Sequence, residues 1–188
     1  MSTLEGDIRL VAIEGLPSLT IDVADVAEGT DFLVTGDIVD LQSNNLGYMV
    51  KTGAGTMQLD GTATSTGGAL GIAEGTLLLG TSSGTAHTDF NLSGGTLALA
   101  DGTANTAGTL SATAESSLSV GSGASLTLAD LAVSEGATLN VSGAGRTGVK
   151  VEATLSAATL ARITVDGARA VQADGYLRPA RGFVITVR

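Results

Sequence analysis

Cysteine is absent from this 188-residue chain, which excludes disulfide stapling and thiolate metal sites. Tryptophan is absent too, and aromatics make up 3% of residues, so the stacking platforms that single-stranded nucleic acid and sugar rings require are scarce. Proline occurs twice, which removes polyproline and collagen architectures although glycine occurs 27 times. With one histidine, His87, a multi-histidine metal centre cannot form, and a Ser-His-Asp triad would have to use that residue. No apolar run approaches the roughly 20 residues of a membrane helix. The first residues lack the basic and apolar regions of a signal peptide.

Hydrophobic residues nevertheless reach 43%, enough for a sizeable core built from Leu, Val, Ile and Ala. The formal net charge of −10 is unevenly spread. Residues 1–40 carry nine acids (Glu5, Asp7, Glu14, Asp22, Asp25, Glu28, Asp31, Asp37 and Asp40) against Arg9 alone, whereas residues 146–188 carry seven bases against Glu152, Asp166 and Asp174. Such a balance argues against nucleic acid as a partner and for a well-solvated surface.

Short alternating runs organise the chain. Met57-Gln58-Leu59, Leu77-Leu78-Leu79, Leu97-Ala98-Leu99, Leu118-Ser119-Val120 and Leu139-Asn140-Val141 start 20 or 21 residues apart. A second apolar column, Leu70, Phe90, Leu110, Leu131, Val151 and Val171, keeps the same period. Fixed spacing of this size marks a repeat architecture whose units must stack to bury their apolar faces. Alternation with a period of two, Gly-rich corners and no sustained helical pattern together predict an all-β parallel β-helix (β-solenoid) of about eight coils of roughly 20 residues, with capping segments at both ends.

The expected division is a solenoid over 1–161, in which 1–35 form acidic first coils or an N-terminal cap, and a last coil with a basic cap over 162–188. Backward, the register is expected to run through Ile38 to Leu19; forward, through Leu160 to Val184. Inward ladders should join Met57, Leu77, Leu97, Leu118 and Leu139, and Leu59, Leu79, Leu99, Val120 and Val141. Gln58, Leu78, Ala98, Ser119 and Asn140 should face outward. Asp60-Gly61, Asp101-Gly102, Asp166-Gly167 and Asp174-Gly175 read as turns.

One stretch carries a family likeness. Val50-Lys51-Thr52-Gly53-Ala54-Gly55-Thr56-Met57-Gln58-Leu59-Asp60-Gly61, followed by Thr66-Gly67-Gly68 and Glu74-Gly75-Thr76-Leu77-Leu78-Leu79-Gly80, resembles the passenger-associated transport repeat of bacterial autotransporters. Met57 stands where the repeat usually has Leu. The resemblance covers about 32 residues and implies a right-handed parallel β-helix in a secreted or surface-displayed protein, where such repeats assist export and folding. No outer-membrane barrel is legible in the sequence.

Little in the chain announces chemistry. Ser82, Ser83 and Asp89 lie near His87, but a triad is defined by geometry. The middle coils offer about one acid each (Asp60, Glu74, Asp89, Asp101, Glu115, Asp130 and Glu135), and a polysaccharide-cleaving pair would have to come from residues such as Asp89 and Asp130. Ser93-Gly94-Gly95-Thr96-Leu97 lacks the Asp of a calcium-binding β-roll, and residues 53–55 and 143–148 lack the Lys-Ser/Thr ending of a phosphate loop.

The expectation is therefore no catalytic, cofactor or metal residues, and a structural segment of an autotransporter-like surface or secreted protein, outer-membrane-associated, whose signal peptide and anchor lie outside this chain. The alternatives are an adhesin for a host glycan or protein, with Tyr48, Leu78 and Phe90 as candidate contacts, and a head-to-tail filament subunit. A polysaccharide lyase or hydrolase ranks below them. No direct membrane insertion by this segment is expected.

Overall fold

The structure, a computed structural model, describes residues 1–10, 19–26, 29–40, 49–64, 69–82 and 88–180. It is an all-β parallel solenoid. One face stacks β1 (Ser2–Leu4), β4 (Phe32–Val34), β7 (Thr56–Leu59), β10 (Thr76–Leu79), β12 (Thr96–Leu99), β14 (Ser116–Val120), β16 (Leu139–Ser142) and β18 (Ile163–Val165), each parallel to the next. A second position in each coil holds β2 (Ile8–Leu10), β5 (Ile38–Asp40) and β8 (Ala63–Thr64). A third holds β3 (Leu19–Asp22), β6 (Met49–Thr52), β9 (Ala69–Ile72) and β11 (Asp89–Leu92).

In the next two coils the second and third positions fuse into the nine-residue strands β13 (Ala104–Ala112) and β15 (Ser125–Val133). Their corner is still visible in the burial pattern. Asn105, Ala107, Leu110 and Ala112 point inward, and so do Leu126, Leu128, Leu131 and Val133, with two outward residues between the pairs. β17 (Val149–Val151) then continues the first half of β15.

Strands form because inward positions are apolar and corners are small or turn-prone. Leu77, Leu97, Leu118, Leu92 and Leu110 are fully buried, while Gln58, Leu78, Ala98, Ser119 and Asn140 are half-exposed between inward neighbours, as the alternation predicts. The expected ladders hold from Met57 through Leu77 and Leu97 to Leu118, and from Leu59 through Leu79 and Leu99 to Val120. Leu70, Phe90, Leu110 and Leu131 form the expected second column.

Coil length is where the structure departs from the expectation. On the first face Ser2, Phe32, Met57, Leu77, Leu97, Leu118, Val141 and Val165 share one line, so the steps grow from 20 residues in the middle to 30 at one end and 24 at the other. Leu139 therefore sits opposite Ser116, and Val141 opposite Leu118. A slip of two residues keeps the same side chains inward, so the alternation cannot reveal it.

Leu19, Ile38 and Met57 are not successive rungs. They pair with Met49, Ile8 and Phe32 respectively, at three different positions of the coil. Leu160 lies in a short helix, α1 (Ala157–Leu160), capped by Ser156, and Ile163 takes the rung above Leu139. Val151 pairs with Leu128 rather than Leu131. Val171 is 40% exposed in an antiparallel strand, outside the column. Val184 lies outside the described residues.

The last rungs are closed by a hairpin, β19 (Ala168–Ala173) and β20 (Tyr176–Pro179), whose strands pair antiparallel with β18 and β17. Both of its reversals are two-residue Asp-Gly turns with positive φ at each residue, the type I′ signature: Asp166 and Gly167 (48° and 77°), and Asp174 and Gly175 (56° and 81°). The Gln172 amide finishes the closure, donating to the Val151 and Ala153 carbonyls and accepting from Leu155 N–H.

Leu97→Ala, in the middle of the inward ladder, should lower the unfolding free energy by about 2–5 kcal/mol, whereas Leu78→Ser on the outward face of the neighbouring strand should change it by under ~0.5 kcal/mol. Urea titrations of both variants test the assigned faces, and comparable losses would overturn them.

Candidate functional site

Among the described residues two charged side chains are buried, Lys51 and Asp31, and both lie at one corner. Along the third position the inward ladder reads Ile21, Lys51, Ile72, Leu92, Ala112 and Val133, and Lys51 has no exposed surface. Its stem lies between two isoleucines while the amine turns toward the corner of residues 53–55, where it donates to the carbonyls of Thr52 (3.1 Å), Gly53 (2.6 Å) and Glu74 (2.9 Å).

The surroundings span three coils. Asp31 accepts from Thr56 N–H (2.8 Å) and Val26 N–H (3.2 Å), Glu74 accepts from Gly53 N–H (3.2 Å), and Asp22 accepts from the Thr52 hydroxyl (3.3 Å). Burial pulls the Lys51 pKa below its ordinary value of 10.5, and the charges of Asp22, Glu74 and Asp31 oppose that shift. Gly75, at φ 60°, makes the approach feasible: a Cβ there would lie 2.6 Å from the Lys51 amine and against the carbonyls of Gly53 and Gly55.

Three acceptors require three donated hydrogens, which only the ammonium form supplies. An amine so engaged has no free lone pair and no access to a substrate, so its chemistry is cohesion. It ties its own corner to the coil above by hydrogen bonds and to the coil below by charge.

Carboxylates repeat this role along the rod. Asp7 accepts from Asp37 N–H (3.1 Å), Asp37 from Thr62 N–H (2.7 Å), Asp89 from Thr109 N–H (2.6 Å) and Asp101 from Ser122 N–H (2.7 Å), each one coil away. Asp166 accepts from Gly143 and Gly145 N–H in the coil below. Corner amides leave the strand ladder, and a carboxylate supplies the acceptor they lack. A 20-residue period does not reveal these contacts, although Gly6-Asp7-Ile8 recurs as Gly36-Asp37-Ile38 after 30 residues.

The residues considered for catalysis fall elsewhere. Asp89 and Asp130 lie on one line with Thr109 between them, two rungs or ~10 Å apart, both exposed. Asp130 accepts from the Leu131 N–H. His87 and Tyr48 lie outside the described residues, and Phe90, a candidate surface contact, is fully buried in the second column. Among the described residues no three His, Asp or Glu side chains are grouped to hold a metal ion.

The fold and this corner together define the class: a parallel β-solenoid whose buried and corner charges hold successive coils together. Compared with known proteins, the chain matches no family model, no curated protein and no solved structure.

Two measurements test this account. Of the two lysines in the chain, Lys150 should react with an amine-specific acylating reagent in the folded protein, whereas Lys51 should react only after denaturation, as read by mass spectrometry. Labelling of both at equal rates would contradict the buried ammonium.

The second concerns acid. The Thr62 N–H and hydroxyl hold the Asp37 carboxyl below its ordinary value of 3.8. A depressed native pKa stabilises the fold fully above 3.8, and the contribution disappears as pH falls through the lower native value. Asp37→Asn should therefore be less stable than the parent at neutral pH, and the gap should close as pH drops below ~3.8. A gap constant with pH would refute the linkage.

Proposed function

We propose that this chain is a structural segment of an exported, surface-displayed or secreted protein of the autotransporter type, acting as an export-assisting or display scaffold and not as an enzyme. The observation that carries the reading is the fate of Lys51-Thr52-Gly53-Ala54-Gly55-Thr56, the phrase on which the resemblance rests. Its lysine is spent on backbone carbonyls, and its Gly53 and Thr56 amides on Glu74 and Asp31.

A motif whose lysine and two of whose amides reach groups of neighbouring coils suits a part that folds by accretion. Each completed coil offers the next a template of strand edges and corner acceptors, so folding can proceed in one direction as chain emerges from a membrane. Export by such a route favours a protein without disulfides, and the chain has no cysteine.

The test is a fusion in which this segment sits between a cleavable export signal and an outer-membrane barrel. It should appear on intact cells and resist added protease until heated, and the Lys51→Met fusion should reach the surface in several-fold smaller amount. Retention of the parent fusion inside the cell, or equal display of the two, would overturn the reading.

A further inference from the structure

Among the described residues, large exposed apolar side chains are confined to the two ends of the molecule. Among the described residues the exposed large hydrophobic side chains are Met1 (73%), Leu4 (37%), Leu19 (44%) and Val26 (71%) in the first coil, and Val171 (40%) in the closing hairpin. None lies in the coils between. Four such groups gathered at the first coil mark a contact site more than scatter would, while Val171 is the single one at the hairpin.

Each end also carries a recess, and the two differ in charge. At the first coil a recess of about 260 Å³ is lined by Ile21, Val23, Val26, Phe32, Asp22 and Asp31. At the hairpin a recess of about 330 Å³ is lined by Arg146, Arg178, Val171 and Pro179.

Ion pairs within the molecule leave both signs uncompensated. At the first coil Arg9 pairs with Asp7 (3.8 Å), while Glu5 and Asp25 are exposed and make no ion pair among the described residues. At the hairpin Asp174 pairs with Arg178 (3.6 Å) and Glu152 with Lys150 (3.8 Å), while Asp166 accepts from backbone amides. Arg146 and Arg169 remain exposed, without a carboxylate among the described residues.

We propose that the two ends are complementary docking surfaces and that the occupant of each is a second copy of this chain, the acidic first coil of one molecule seating on the basic hairpin end of the next. Such a contact is heterologous and does not close on itself, so it propagates along the solenoid axis. Side chains make it. The outer edges of β1, β2 and β3 have no strand partner among the described residues, but β18, β19, β20 and β17 pair in an unbroken series, so β18 and β17 offer no free edge to β1 and β2 of another molecule. Asp25 and Glu5 meet Arg146 and Arg169, and Val26 and Leu19 cover Val171. Charge sets the polarity, because two acidic or two basic ends repel.

Sedimentation velocity on the full chain and on two blocked variants tests this. One variant, Asp25→Lys with Val26→Lys, spoils the first-coil end; the other, Arg146→Glu with Val171→Glu, spoils the hairpin end. Circular dichroism melting curves matching the parent establish that both are folded. In ~20 mM salt the parent should sediment as species whose mass grows with concentration, and in ~500 mM salt as a monomer. Each variant alone should be monomeric, and an equimolar mixture should give a dimer and nothing larger, since one good surface of each kind remains. A parent that is monomeric in low salt, a mixture that sediments as its separate components, or a mixture that grows beyond a dimer would each overturn the proposal. A monomer would leave the scaffold reading untouched.

Discussion

The structure depends on a parallel backbone ladder in which each coil supplies the hydrogen-bond partners of the next. Buried amides and carbonyls must be paired, and a coil of about 20 residues cannot pair its own strands with one another. It has to borrow a neighbour. Stacking follows, and with it the continuous column of Leu, Ile, Val and Ala that no single coil could enclose.

The ladder fails at corners, and the acidic balance of the chain is tied to that failure. Where the backbone turns, Asp7, Asp31, Asp37, Asp89 and Asp101 hold amides of the following coil, while Asp166 and Glu74 reach the coil before. Lys51 is the complementary case: a donor placed where corner carbonyls converge. Read only as composition, these residues suggest a solvated surface. In the fold, several join one coil to its neighbour, and the N-terminal charge that remains unpaired is concentrated at one end.

Some of this was legible in the residue pattern. From Met57 to Val120 the coil length is nearly constant, corners are one to several small residues, and the ladder could be written down rung by rung. Outside that stretch the residue pattern and the structure part in two identifiable ways. Leu139 and Val141 slid by two residues against β14, which alternation cannot detect because it preserves the face. Leu19 and Ile38 were spaced by a period that their coils do not have, since the first coils are longer. Lys51 reads as a letter of a motif in the sequence and is a core residue in the fold, where Met49 and Lys51 alternate as Leu70 and Ile72 do one coil later.

By itself the sequence determined that strands would stack in parallel and, in the regular middle coils, which Leu and Val side chains would face inward, because a period of two within runs and of about 20 between them admits little else. Tertiary structure alone decided which rungs meet, since register depends on corner length summed over three faces. It also decided what the charges do. Whether an aspartate meets water or an amide one coil away is settled by distance across the stack, and apart from the recurrence of Gly-Asp-Ile at residues 6 and 36 its neighbours along the chain do not encode that.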